Sequence, residues 1–310
     1  MSIFQNIFSY QFVAMWLRVA TPLIFTSLGA VICEKSGVVN LGLEGIMLCS
    51  ALSGVLGSAY SGSLAIGVVS AVGMGLLLSA VFAYFHLVLK ANAVLCGTAI
   101  NTFAGGFTVF MLELTTGEKG NSSSLKSLAF SSFDIPVIKD IPVLKDLLSG
   151  HNTLTYVAFL AVIGVWFLLY KTPLGLRIRA VGENEHAINS VGINVKKMRF
   201  LAIMLCGVLA SFGGMYLSMG YLNMFVRDMV AGRGFISLAA CAMGQATPFG
   251  TLASALVFAF FDGLSNILQL LKIPSEFVQM LPYAATILGL VAYSIQQSNR
   301  EQKRKRLIIT

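Results

Sequence analysis

The sequence predicts an all-α protein, a polytopic transmembrane helical bundle of about nine spans. Of its 310 residues, 56% are hydrophobic and only 11% are charged, whereas about a quarter of the residues in an average soluble domain are charged. A soluble fold of this size needs far more polar surface to cover its core. At about 20 residues per span plus connections, residues 1–310 have room for about eight to ten spans in a single membrane domain.

Apolar runs locate the individual spans. The candidate spans are residues 11–32, 38–60, 63–89, 92–112, 153–170, 199–221, 229–247, 251–271 and 278–296. Two polar segments interrupt the series, an acidic loop at residues 113–152 and a basic loop at residues 171–199. A basic tail at residues 297–310 follows the last span.

The charge of these three segments predicts their side of the membrane. The acidic loop has a net charge of −1, and the basic loop and the tail each have a net charge of +4. Lys and Arg accumulate in cytoplasmic segments of membrane proteins. The basic loop and the C-terminal tail are therefore predicted to be cytoplasmic, and the acidic loop is predicted to lie outside.

This topology predicts an inverted repeat. Residues 11–112 and residues 199–296 each hold four spans, in the same order but with opposite orientation. The second span of each half, GVVNLGLEGIMLCSALSG or GRGFISLAACAMGQATPFG, is short or interrupted by glycine. Broken spans at matching places in inverted halves indicate a central translocation path. The alternative is that the glycines only allow close packing between helices.

Polar residues within the spans are the candidates for lining that path. They are Asn40, Glu44, Thr98, Asn101, Asp262, Asn266 and Gln269. Spacings of three or four residues place certain of these side chains on shared helical faces. The groups are Asn40 with Glu44, Thr98 with Asn101, and Asp262 with Asn266 and Gln269. An ionisable group inside a span costs about 2.5–3.5 kcal/mol on insertion scales and therefore needs a function. For Glu44 and Asp262, the alternative function is an interhelical hydrogen bond or a helix cap.

The basic loop contains a second candidate site. Residues 183–191 are predicted to form a short helix that ends before Gly192, a natural C-cap. Such a helix is either a solvated connector with basic anchors at the membrane or an element that docks into an ATPase subunit. The sequence contains no GxxxxGK[ST] phosphate-binding loop, so the chain is not predicted to hydrolyse ATP by that motif.

Three separated motifs carry a family resemblance. The run RAVGENEHAINSVGINVKK resembles the cytoplasmic coupling loop of the branched-chain amino acid and simple-sugar permease family of ABC importers. The segment EKSGVVNLGLEGIMLCSA, residues 34–51, is similar to its first signature, and residues 232–263 follow the pattern of its C-terminal half. Within the family, the resemblance is closest to permease subunits of bacterial nucleoside importers. The alanine-rich EAA form of the coupling loop is absent, which leaves the individual docking contacts undefined.

The resemblance implies partners and a location. We expect a separate nucleotide-binding ATPase subunit that holds ATP and Mg, a second and homologous permease subunit, and an extracellular substrate-binding lipoprotein. The chain itself is expected to lie among the lipids of a bacterial plasma membrane, without a cofactor, a metal or nucleic acid of its own. The residues expected to couple to the ATPase are Glu183, Asn184, Glu185, His186, Ala187, Ser190 and Gly192.

Nucleoside import is the function that this resemblance predicts. Amide and carboxylate side chains can pair with ribose hydroxyls and base edges, and Phe235 and Phe261 could stack on a base. For each aromatic ring, the alternative is packing or contact with lipid. Two other functions remain open. One is an ABC permease for a simple sugar, and the other is an ion-coupled secondary transporter with Glu44 or Asp262 as its ion site.

Overall fold

The computed structural model describes residues 10–133 and 150–268, together with residues 287, 289 and 291. Within these ranges the chain forms ten α-helices and one short antiparallel ribbon. The helices are α1 (Tyr10–Lys35), α2 (Leu43–Ser61), α3 (Leu64–Ala83), α4 (Ala93–Thr116), α5 (Thr153–Lys171), α6 (Pro173–Glu183), α7 (Glu185–Ser190), α8 (Val195–Met215), α9 (Arg233–Met243) and α10 (Pro248–Leu268). Helices α3 and α8 continue into π-helical turns at Tyr84–Val88 and Tyr216–Tyr221.

The prediction of an all-α membrane bundle is confirmed. Among the described residues, seven helices are long and apolar enough to cross a membrane, and α9 is a shorter apolar helix. They correspond to the first eight predicted spans, which is consistent with a count of about nine. The ninth predicted span, residues 278–296, and the tail at residues 297–310 lie outside the described residues, apart from the three isolated positions.

Helix α1 lies at the centre of the bundle. In its most apolar window 83% of the residues are buried, against 28% for α3 and for α4. It packs on α8 at Gly29, where a Cβ atom would lie only 2.8 Å from the carbonyl oxygen of Cys206. Small residues at such crossings allow two helix backbones to approach closely. Helices α3, α4 and α5 carry exposed apolar side chains, such as Val69, Leu95 and Leu160.

Glycine and serine also hold α2 against α8. Ser50 Oγ donates to Ser211 Oγ at 3.1 Å, and Ser218 Oγ donates to the carbonyl of Ala51 at 2.9 Å. A Cβ atom on Gly54 would lie 2.9 Å from the sulfur of Met219. At these positions, small residues serve close helix packing, as the packing alternative for the glycine-rich spans expects.

In the two predicted broken spans, the helix is shorter than the apolar run that predicted the span. In the first half, residues 36–42 form turns and extended chain, here named the lead-in segment, and helix α2 begins only at Leu43. The prediction that Asn40 and Glu44 share a helical face is therefore wrong. Asn40 accepts a hydrogen bond from the Gly42 N–H at 3.0 Å, which closes a local turn in place of a helical one.

In the second half, α9 has 11 residues, because left-handed backbone interrupts the chain on both sides. Asp228, Ala231 and Gly232 precede the helix with φ values of 54°, 49° and 80°. Gln245 and Ala246 follow it with φ values of 58° and 48°. An α-helix cannot continue through residues in this conformation.

The described part of the acidic loop packs on the segment before α9. The Ser122 N–H donates to the carbonyl of Phe225, and the Arg227 N–H donates to the carbonyl of Gly120, both at 2.9 Å. A ribbon of Ser132–Phe133 and His151–Asn152 closes the described ends of the loop. Residues 134–149 lie outside the described residues.

Candidate functional site

The carboxylate of Glu44 joins the two broken segments. Glu44 is the second residue of α2, and its two oxygens accept the N–H groups of Gly232 and Gly234, each at 2.7 Å. These N–H groups belong to the start of α9, where a helix has unsatisfied donors and a positive dipole end. This carboxylate therefore caps α9, as the capping alternative for Glu44 expects.

Gly234 allows this contact. It is buried, and a Cβ atom at this position would lie 2.6 Å from the backbone nitrogen of Glu44. Any larger residue would push α9 away from the first turn of α2. The Gly-Arg-Gly run at residues 232–234 thus lets the starts of the two helices touch.

Arg233 and Asp262 form a half-buried ion pair beside this junction. Arg233 Nη2 lies 3.2 Å from Asp262 Oδ2, and the two side chains are only 20% and 17% exposed. Arg233 Nη1 also donates to the carbonyl of Val230 at 3.2 Å. Each charge offsets much of the cost of burying the other. Sequence reasoning did not find this partner of Asp262, although two opposite charges beside apolar spans were the available signal.

Helix α4 holds the lead-in segment from the other side. The Asn101 side chain donates to the carbonyl of Leu41 at 2.9 Å and accepts the N–H of Gly45 at 2.8 Å. At Gly97, one turn earlier, a Cβ atom would lie 2.7 Å from the carbonyl carbon of Leu41. Asn101 therefore fixes the point where α2 begins.

The other predicted path residues lie apart from this junction. Thr98 is exposed on α4, and its hydroxyl donates to the carbonyl of Val94 in its own helix at 3.0 Å. Phe235 is 46% exposed, and Phe261 packs edge-on against Phe260 with ring centroids 5.8 Å apart. The side chain of Asn266, and Gln269 as a whole, lie outside the described residues.

The basic loop folds into two helices. Helix α6 was not predicted. Thr172 caps it by accepting the N–H of Gly175 at 3.1 Å, and proline occupies its first turn. The predicted helix over residues 183–191 is present as α7, but its start was predicted wrongly. Glu183 ends α6, while Asn184 caps α7 by accepting the N–H of Ala187 at 3.0 Å.

Most of the predicted coupling residues are exposed. Those exposed are Glu183, Asn184, His186, Ala187, Ser190 and Gly192. Gly192 follows α7 with a φ of 84°, which a helix end in left-handed conformation requires. The neighbouring Val191 is an apolar side chain that is 75% exposed. Glu185 is half-buried, because its carboxylate lies 2.9 Å from Arg199 Nη1 in an ion pair.

A polar cavity of about 550 Å3 lies beneath α6, between the ends of α1 and α9. It is lined by Glu34, Lys35, Tyr170, Arg179, Gly182, Glu183, Ala242, Gln245 and Ala246. Arg179 lies over the ring of Tyr170 at 4.6 Å and donates to the carbonyl of Leu169 at 2.9 Å. Two further cavities, of about 630 Å3 and 460 Å3, are lined mainly by apolar side chains of α2, α3 and α4.

Comparisons with known proteins identify one family, that of transport permeases. The family model described as the permease component of branched-chain amino acid transport systems matches residues 12–290. The guanosine ABC transporter permease NupQ of Bacillus subtilis is 38% identical over 88% of this chain and 89% of its own length. The nucleoside ABC transporter permease NupC of Lactococcus lactis is 35% identical over 91% of both chains.

A sugar permease and a solved structure also match. The ribose import permease RbsC of Escherichia coli is 32% identical over 45% of this chain and 44% of its own length. A solved ABC transporter of the metal-chelate type, in an inward-facing conformation, has a TM-score of 0.50. It shares 17% sequence identity over 91% of this chain and 85% of that chain, so it shows the fold alone.

Proposed function

The chain belongs to the family of permease components of branched-chain amino acid transport systems, and on this premise we propose that it forms the translocation path of an ATP-driven nucleoside importer. The observation that carries the proposal is that two nucleoside permeases match at higher identity, and over more of this chain, than two sugar permeases do. The nucleoside permeases match at 38% and 35% identity over 88% and 91% of this chain. A putative glucose ABC transporter permease, TsgC13 of Haloferax volcanii, matches at 33% identity over 80% of this chain, and the ribose permease matches at 32% over 45%.

An ABC transporter permease works with an ATPase partner, and no enzymatic activity is indicated for this chain. In the proposed complex, ATP and Mg bind to that partner and no cofactor binds to this chain. A second, homologous permease and an extracellular substrate-binding lipoprotein complete the importer. The chain is a multi-pass membrane protein. We place it in a bacterial plasma membrane with a cytoplasmic C-terminus.

The proposed path uses side chains that are free to reach a ligand. If two permeases enclose the path between them, side chains exposed on one chain can line it. Thr98 offers an exposed hydroxyl, and Phe235 offers an exposed ring for stacking on a base. Asn101, Glu44 and Asp262 already bind protein groups, so each would have to give up a bond to reach the substrate.

The proposed coupling element is α7 with its flanking residues. Its exposed polar side chains and the exposed Val191 give a small protruding surface, which suits docking into a cleft of the ATPase. Closure of the ATPase on ATP would displace α7 and rock the two halves of the permease around the path. This motion would open the path alternately to each side.

Uptake by the native host tests the proposal. We expect deletion of the chain to abolish ATP-dependent uptake of labelled guanosine and uridine, and a plasmid copy to restore it. A copy lacking residues 185–190 should insert into the membrane and leave uptake abolished. Normal nucleoside uptake in the deletion strain would contradict the proposed function.

The same assay separates the two alternative functions. If the chain is instead a simple-sugar permease, its deletion would leave guanosine uptake intact and would abolish uptake of a labelled sugar such as ribose. A secondary transporter would lose uptake when the ion gradient collapses, even with ATP present. Glu44 is bound by backbone N–H groups and Asp262 by Arg233, so neither carboxylate is free for a coupling ion.

A further inference from the structure

We infer that Arg199 is the positioning residue that transmits the movement of α7 to the lead-in segment, residues 36–42, and through it to the broken helices. This inference rests on the proposed function and adds a route by which docking of the ATPase reaches the path. Arg199 is the fifth residue of α8. Its guanidinium touches both the coupling element and the start of the lead-in segment.

The contacts of Arg199 define the first link. Its Nη1 lies 2.9 Å from Glu185 Oε2, and its Nε donates to the backbone carbonyl of Ser36 at 3.2 Å. The Arg199 side chain is 24% exposed and that of Glu185 is 45% exposed, so the ion pair is only partly screened by solvent. A planar guanidinium has several fixed donors and can hold two partners in one geometry.

The C-terminal end of α6 also packs on the start of the lead-in segment. A Cβ atom on Gly182 would lie 3.0 Å from the backbone nitrogen of Gly37, so α6 packs directly on the lead-in segment. Gly37 itself has a φ of 80°, which glycine adopts without strain. Ser36 is buried, and its hydroxyl donates to the carbonyl of Cys33 at 2.6 Å. The start of the lead-in segment is thus bound to α1, to α6 and to Arg199.

The lead-in segment then carries a displacement to both broken helices. Its far end is held by Asn101, which binds the carbonyl of Leu41 and the N–H of Gly45. Glu44 follows directly and binds the start of α9. An unbroken series of bonded groups therefore runs from Glu185 on α7 to the N-terminus of α9. Movement of α7 that pulls Arg199 would shift the junction of α2 with α9.

The test compares four chains in the intact transporter complex, each in the chromosomal copy of the host. They are the wild type, R199A, E185Q, and R177A as the control. Arg177 is an exposed cation of the same basic loop and forms no ion pair among the described residues. Guanosine uptake and ATP hydrolysis are measured on complexes purified into liposomes, and the ratio of guanosine transported to ATP hydrolysed is compared.

We expect R199A to lower this ratio about tenfold and E185Q about threefold, within the range that coupling residues give. The R199A complex should keep its ATP hydrolysis, and R177A should match the wild type in both measurements. In hydrogen–deuterium exchange, ATP should change protection of residues 38–45 in the wild type but not in R199A. Protection of residues 185–190 should respond to ATP in the wild type and in R199A alike. A merely structural role for Arg199 does not predict that the response is lost at residues 38–45 and kept at residues 185–190.

Two results would overturn the inference. One is a wild-type ratio in R199A or in E185Q, and the other is loss of the ATPase from the R199A complex, which would make Arg199 an assembly residue. E185Q removes the ion pair at its more exposed end, so it tests the inference even if R199A fails to fold. Failure of the proposed function looks different, because guanosine uptake would then survive deletion of the whole chain.

Discussion

Removing the carboxylate of Glu44 should loosen the junction between α2 and α9. In Glu44→Ala, the N–H groups of Gly232 and Gly234 both lose an acceptor that lies 2.7 Å away. Glu44→Gln keeps the shape of the side chain and one acceptor oxygen, but it turns an NH2 group toward the second N–H. The alanine variant should therefore be the less stable of the two.

The magnitude follows from the exposure of each donor. Gly234 is buried, and a buried N–H left without a partner costs about 1–3 kcal/mol. Gly232 is partly exposed, so loss of its bond costs about 0.5–1.5 kcal/mol. Glu44→Ala should thus reduce the free energy of unfolding by about 1.5–4.5 kcal/mol, and Glu44→Gln by about half of that.

Thiol labelling during thermal unfolding is a suitable assay, since four of the five cysteines are buried and become reactive only on unfolding. A fluorogenic maleimide would report the melting of the detergent-purified protein. The matched control is Glu113→Ala, which removes an exposed carboxylate 3.2 Å from Lys119. Wild-type melting of both Glu44 variants would refute the capping role. If Glu44→Gln melted like the wild type and still abolished uptake, the carboxylate would act on the substrate or an ion and not only on the junction.

Three further predictions use the same melting assay. Gly234→Ala should destabilise the protein by about 1–3 kcal/mol, because the added Cβ meets the α2 backbone. The control Gly73→Ala, whose added Cβ would meet no neighbouring atom within 4 Å, should be neutral or stabilising. Equal effects of the two substitutions would contradict the close contact at Gly234. Ala231→Gly, at an exposed position, should stabilise by up to about 1 kcal/mol by relieving a φ of 49°, and destabilisation would contradict that strain. Asp262→Asn should cost about 1.5–3 kcal/mol by removing the charge that pairs with Arg233, and adding Arg233→Gln should recover part of this loss. A double variant less stable than Asp262→Asn would contradict the pairing.

The spans and the position of α7 could be predicted from the sequence because they depend on local patterns. An apolar run that is long enough to cross the membrane identifies a span whichever helices pack around it. Asn184 and Gly192 are a local cap and a local stop, so α7 could be found without knowledge of its neighbours. Helix α6 has equally local signals in Thr172 and Pro173, and they were overlooked.

The start of α2 and the partners of the polar residues depend on contacts between distant segments. Hydropathy does not distinguish the lead-in segment from the helix that follows it. Asn40 and Glu44 looked like one helical face because their spacing fits, but Asn101 of α4 and the N–H groups before α9 decide where the helix begins. The pairing of Arg233 with Asp262 is likewise fixed by tertiary packing.

Several residues of the predicted path remain predictions. Thr98 and Phe235 are exposed on this chain, so what they contact depends on the surface that faces them in the complex. Phe261 packs on a neighbouring ring, which fits the packing alternative as well as a path. A single sequence records the type of a side chain but not whether a subunit, lipid or substrate covers it.

Gentle purification of the tagged chain from its native membrane, followed by an ATPase assay, tests the central claim most directly. We predict that a stoichiometric phosphate-loop ATPase and a second permease copurify with it. With the extracellular binding protein present, the complex should hydrolyse ATP faster when guanosine is added. A chain that purifies alone and drives nucleoside uptake from an ion gradient in liposomes would contradict the account.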